Sequence, residues 1–105
     1  MNPGQLNSKI SIKGLTRTSD NAGGYEDKFE VIKYVWAFIK PISGREYYQA
    51  QQSQSVITHT FVVRYDAEID RTQVIEYQGR KFDIQYIINV DEQNRYLEIQ
   101  ALEQQ

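Results

Sequence analysis

Tyr34-Val35-Trp36-Ala37-Phe38-Ile39-Lys40-Pro41-Ile42-Ser43-Gly44-Arg45-Glu46-Tyr47-Tyr48 reads as a strand stopped by a proline and turned into a capped segment. In the first half, Val35, Ala37 and Ile39 point one way and Tyr34, Trp36 and Phe38 the other, so both faces are apolar. A strand of that kind is expected to be covered on both sides, inside a small barrel or at a subunit contact. Pro41 has no amide proton and therefore ends or edges the ladder. Ser43-Gly44-Arg45-Glu46 then has the spacing of a capping box, and Ile42 and Tyr47 fall at the positions of a hydrophobic staple.

The helix this predicts, roughly 44–52, places Tyr47, Ala50, Gln51 and Gln54 along one side. Two apolar residues make a shallow seat, and Gln49, Gln51, Gln52 and Gln54 leave the segment polar but nearly uncharged. Such a segment leaves its seat at small cost, because most helical stability comes from burying a strong apolar face.

Working outward, Lys9–Leu15 alternates around Ile10 and Ile12 as a half-buried strand. Residues 16–28 carry turn formers and no periodicity, and read as a long polar loop. Its Gly23-Gly24 pair lacks the Lys and Ser/Thr of a phosphate cradle. A second strand, Phe29–Ile39, is expected to carry a bulge near Lys33. Val56–Tyr65 follows, with Ile57, His59, Phe61, Val63 and Tyr65 on one face. Next comes a polar turn anchored by Ile69, then a hairpin around Gln78-Gly79-Arg80. Phe82, Ile84, Tyr86, Ile88 and Val90 form the longest alternating stripe. The last strand, Arg95–Leu102, turns Leu97, Ile99 and Ala101 inward. The fold class expected is mainly β: one small antiparallel barrel of SH3- or OB-like size over residues 1–105, with a short helical or mobile segment at 43–54 after the Trp-bearing strand. Residues 1–7 and 103–105 are expected to fray.

Composition narrows the function. With no Cys and one His, neither a disulfide framework nor an ordinary zinc site can be assembled, and no metal or cofactor is expected. Twelve basic against fourteen acidic residues, net charge −2, argue against a protein that grips nucleic acid by its phosphates. No apolar run approaches a membrane span, and a cytoplasmic site of synthesis is expected. Eight Tyr favour contact with other proteins. Ser55, His59 and Asp66 can be strung into a triad on paper, but no nucleophile elbow or oxyanion hole accompanies them, so no enzyme is expected.

Trp36, Pro41-Ile42-Ser43, Glu46-Tyr47-Tyr48-Gln49-Ala50-Gln51-Gln52, Arg64-Tyr65-Asp66 with Ile69-Asp70, and Val74-Ile75-Glu76-Tyr77-Gln78-Gly79-Arg80 followed by Phe82 and Ile84 form an ordered series. Over roughly residues 8–102 this series resembles the head–tail joining, or head-completion, proteins of tailed bacteriophages, and is most similar to their stopper type. The resemblance implies a virion protein without catalysis that assembles as a ring, dodecameric in that type, although the isolated chain can be monomeric. The ring sits between the portal–adaptor and a tail-completion protein. It retains DNA until the tail attaches, and double-stranded DNA passes through it without sequence-specific binding. Ser43, Arg45, Glu46, Tyr47, Tyr48, Gln49, Gln51 and Gln52 are then the candidate channel or gate residues. Tyr47 is equally readable as staple packing, and Arg45 as a solvated helix-start residue. Trp36, Arg64, Tyr25 and Asp20 are candidates for a subunit or partner interface, Trp36 being readable as core as well. The alternative from another class is an OB-like barrel that stacks single-stranded nucleic acid on tyrosines.

Overall fold

A computed structural model of the chain describes residues 3–19, 23–41 and 57–104. Six antiparallel strands are described: β1 (Ser8–Ser19), β2 (Tyr25–Pro41), β3 (His59–Arg64), β4 (Val74–Tyr77), β5 (Arg80–Asn89) and β6 (Tyr96–Glu103). They close into a barrel in the order β1-β2-β3-β6-β5-β4. The expected segment at 43–54, and with it the capped helix, lies outside the described residues.

The core follows from the alternation. Ile10, Ile12, Ala37, Phe61, Val63, Ile75, Phe82, Ile84, Leu97, Ile99 and Ala101 converge inside, with Ile69 from the β3–β4 turn. Phe61 and Phe82 meet edge-to-face at 5.0 Å, and both are fully buried. Burying each such ring contributes about 2–3 kcal/mol. Gln78 and Gly79, both at positive φ (52° and 78°), form the two-residue β4–β5 turn, the primed geometry whose twist suits a tight hairpin.

Two bulges redirect the long strands. In β2 the register steps from Ile12–Lys33 to Lys13–Val31, which makes Ile32 the extra residue and fulfils the expected bulge near Lys33. Gly14 makes room for it: a Cβ there would sit 2.2 Å from Ile32 Cδ1. In β5 the register steps from Ile84–Ala101 to Tyr86–Gln100, leaving Gln85 unpaired. Beyond it Ile87 packs on the core while Tyr86 and Ile88 turn outward. The stripe read from Phe82 to Val90 is therefore one inward face only as far as Ile84.

Three further expectations give way. Residues 16–19 and 25–28 are a ribbon, not a loop: β1 and β2 stay paired from Lys13–Val31 out to Ser19–Tyr25. Its residues are mostly polar, so no apolar alternation announces it, and β-branched residues such as Thr16 suit a strand. At the N-terminus Pro3–Gln5 forms a 3-10 turn and Leu6 is buried, so the chain is seated there rather than frayed. At the C-terminus Glu103 is tied to Arg80, and Gln104 bonds Asp83 and the Lys81 carbonyl. Finally, the outer face of β2 is bare: Trp36 is 56% exposed and Tyr34 60%. The core reading of Trp36 fails because Val35, Ala37 and Ile39 already take the inward positions of that strand.

Truncation tests the β5 bulge directly. Ile87→Ala should lower unfolding stability by about 2 kcal/mol and Ile88→Ala by less than about 1 kcal/mol, measured by denaturant unfolding. The reverse order would mean that the uninterrupted stripe is correct.

Candidate functional site

The described chain breaks off at Pro41 and resumes at Ile57, so the candidate gate runs between two strand ends that the barrel holds together. Pro41 is paired with His59 and Lys40 with Thr60. The Thr58 amide donates to the Ala101 carbonyl at 2.9 Å, and the Thr58 hydroxyl accepts from the Glu103 amide at 2.7 Å.

His59 closes this end of the barrel. It is nearly fully buried, edge-on to Phe82 at 4.8 Å. Arg80 Nη2 lies 3.3 Å from His59 Nε2. Because a guanidinium only donates, Nε2 must accept, which places the ring proton on Nδ1, 3.0 Å from the Thr58 hydroxyl. Arg80 in turn grips Glu103 through Nε (2.8 Å) and Nη2 (2.7 Å). Burial holds the His59 imidazole below its ordinary value, and the Arg80 charge pushes the same way against Glu103. Both ring nitrogens are thus committed to structure. Asp66, its partner in the paper triad, lies beyond the other end of β3 and is bound to Lys33, while Ser55 is outside the described residues.

At that opposite end Lys33, beside the bulge of β2, bridges Asp66 (2.7 Å) and Glu68 (2.8 Å). The paired Asp66 carboxylate raises the Lys33 ammonium, and Lys33 lowers Asp66. From this end the β1–β2 ribbon continues for seven residue pairs, about 20 Å at strand rise.

The outer wall carries the surfaces most suited to contact. Cross-strand register puts Lys9 beside Trp36, Ser11 beside Tyr34, Lys13 beside Val31 and Leu15 beside Phe29 on one face. Trp36, Tyr34, Val31, Phe29 and Leu15 are all exposed, and Lys9 Nζ sits 5.0 Å from the Tyr34 ring centre. Arg64 is exposed at the end of β3, one register step past the Ala37–Val63 pair and so next to Trp36. Between β2 and the β5–β6 loop runs an open groove of about 1000 Å³, with Phe38, Val62, Arg64, Tyr65, Tyr96 and Glu98 in its walls.

The structure thus brings Trp36 and Arg64 together on one outer surface. Asp20 and the eight candidate gate residues lie outside the described residues. Tyr25 is described as the first residue of β2, paired with Ser19. The outward Tyr86 and Ile88 were missed because nothing in the alternation announces a bulge at Gln85. The sole usable signal was the two-faced apolar run Tyr86-Ile87-Ile88, which no one-sided strand can bury.

Comparison with known proteins gives one family and two solved structures of similar fold. A family model described as phage head completion protein matches residues 1–104. The head completion protein gp16 of Bacillus phage SPP1 is 32% identical over 71 residues, covering 68% of this chain. That match spans 65% of the relative's length, just under two thirds. Among solved structures, protein SF1141 from Shigella flexneri 2a superposes with a TM-score of 0.75 at 25% identity, covering 98% of this chain and 96% of that one. A chain of the native gene transfer agent virion shares the fold with a TM-score of 0.56 at 23% identity, covering 90% and 91%.

The His59 network makes a pH prediction. A histidine whose folded value lies below its unfolded value of about 6.5 contributes stability above that pH and loses it as pH falls toward the folded value. Unfolding stability should therefore drop as pH falls below about 6.5, and the drop should vanish in His59→Gln. By NMR the imidazole should titrate below about 6.5 and move upward in Arg80→Met. A midpoint above the ordinary value would contradict the network.

Proposed function

The chain belongs to the phage head completion protein family, and from that membership we propose that its copies form a ring below the portal–adaptor of a tailed-phage capsid. There the ring retains packaged DNA and offers the surface to which a tail is joined. The family match over residues 1–104 carries this reading. That the protein is a structural component of the phage head, within the virion, follows from the family itself; the ring, the retention of DNA and the identity of its neighbours are the proposal.

The physical chemistry supports it in three ways. The closed barrel has no free edge of its own, so copies that meet through its wall do so by side-chain surfaces, while the β1–β2 ribbon beyond it keeps free edges. Trp36, Tyr34 and Arg64 on the outer wall are the residue types that dominate protein interfaces. A net charge of −2 gives no electrostatic grip on a duplex, as a channel that must later release DNA requires.

Within this reading residues 43–54 face the channel. They join two strand ends at one pole of the barrel, and their Gln and Tyr side chains neither bind phosphates tightly nor repel them. Ser43, Arg45, Glu46, Tyr47, Tyr48, Gln49, Gln51 and Gln52 are the residues proposed to approach the axis. Trp36, Arg64, Tyr25 and Asp20 are those proposed to meet neighbouring proteins.

Two experiments test the role. Particles made without the protein should be DNA-filled heads that leak their genome and lack tails, seen by electron microscopy and nuclease sensitivity. Normal tailed particles would contradict the role, as would salt-sensitive micromolar binding of a single-stranded oligonucleotide to the free protein. Gln49, Gln51 and Gln52 replaced together by Lys should leave particle assembly intact and slow genome ejection roughly severalfold, through new phosphate contacts. Unchanged ejection kinetics would remove these residues from the channel.

A further inference from the structure

Besides the stripe on β2, the barrel carries a second outward apolar patch, Tyr86 and Ile88 on β5, 46% and 43% exposed. In the closed order β1-β2-β3-β6-β5-β4, β2 and β5 are three strands apart whichever way one counts, so the patches lie on opposite sides of the barrel. Their surroundings carry opposite charge. Lys9 flanks Trp36 and Tyr34 and has no carboxylate partner among the described residues, while Arg64, next to Trp36, lines the groove that Glu98 also lines. Glu98 lies directly across from Ile88, with Asp91 and Glu92 just beyond the end of β5, and none of the three has a cationic partner among the described residues.

We propose that these two patches are the two halves of one head-to-tail interface, the Trp36–Tyr34 face of each copy seating on the Tyr86–Ile88 face of the next. The inference rests on the ring reading above and names the surface that would build the ring. A head-to-tail contact needs two different, mutually complementary surfaces, and opposite placement lets every copy use both at once. Self-pairing of either patch is disfavoured by the same charges: it would set Lys9 against its own counterpart, or Asp91 and Glu92 against theirs. Aromatic anchors ringed by charge on one side and an apolar pair ringed by carboxylates on the other make an interface with a desolvated centre and a polar rim.

The chain has no cysteine, so cross-linking reads the contact cleanly. Ser11 lies beside Tyr34 and Gln100 beside Tyr86, so Ser11→Cys and Gln100→Cys label the patches while keeping their anchors. With a short bis-maleimide at high protein concentration, the doubly substituted chain should give a ladder of multimers. Either single variant alone should stay monomeric, and an equimolar mixture of the two should stop at a dimer. Adding Trp36→Ala to the double variant should weaken the ladder at least roughly tenfold. A covalent dimer from one single variant would show self-pairing and overturn the proposal. So would a ladder no stronger than that of Arg71→Cys with Gln78→Cys in exposed turns, or one indifferent to Trp36→Ala. The leak and tail phenotypes are scored separately, so a true head-completion defect without the ladder removes this interface and leaves the role standing.

Discussion

Side chains along a strand alternate with a period of two, so one inserted residue reverses every position beyond it. Two such insertions set what this barrel hides and what it shows. Ile32 in β2 moves Val31 and Phe29 onto the outward face already holding Tyr34 and Trp36. Gln85 in β5 sends Ile87 inward and throws Tyr86 and Ile88 out. Without the bulges these apolar residues would continue the inward phase set by Val35 and by Ile84. The same steps curl two long strands round a small core, so closure of the barrel and the making of its outer patches share one physical cause.

Each pole of the barrel is finished by a charged group placed where the core ends. Arg80, His59 and Glu103 do this at one pole, beside Pro41 and Thr58. Lys33, Asp66 and Glu68 do it at the other, where the β1–β2 ribbon leaves the barrel. Ion pairs open to solvent contribute far less than the Phe61–Phe82 packing they border. Their value lies in position: they fix the paired ends of β2 and β3 at one pole and the root of the β1–β2 ribbon at the other.

Much of this was legible in the residues. Period-two runs around Ile10 and Ile12, Phe61 and Val63, and Leu97, Ile99 and Ala101 identify inward faces without ambiguity, and Gly79 marks its turn. The Trp36–Gly79 motifs sufficed for the family. Three things were not legible, each for its own reason. The β5 bulge at Gln85 is a mismatch with the neighbouring strand that the alternation from Phe82 to Val90 does not record. The ribbon over 16–19 and 25–28 is held by backbone pairing between polar residues, which leaves no apolar periodicity. Trp36 is apolar on a strand whose other face fills the core, and composition alone cannot say whether its own face meets another layer or another molecule. Leu6 and Glu103 show the same limit at the termini, seated by contacts with residues distant in sequence.

The fold and the family membership therefore combine into one picture: a closed barrel with apolar patches on opposite walls and a ribbon leaving one pole, as one component of a larger virion structure. An electron cryomicroscopy map of the connector in intact particles tests this most directly. The account predicts adjacent copies in a closed ring, with the outer face of β2 in one packed on the outer face of β5 in the next. A ring whose copies touch through other strands, with Trp36 and Ile88 both bathed in solvent, would contradict it.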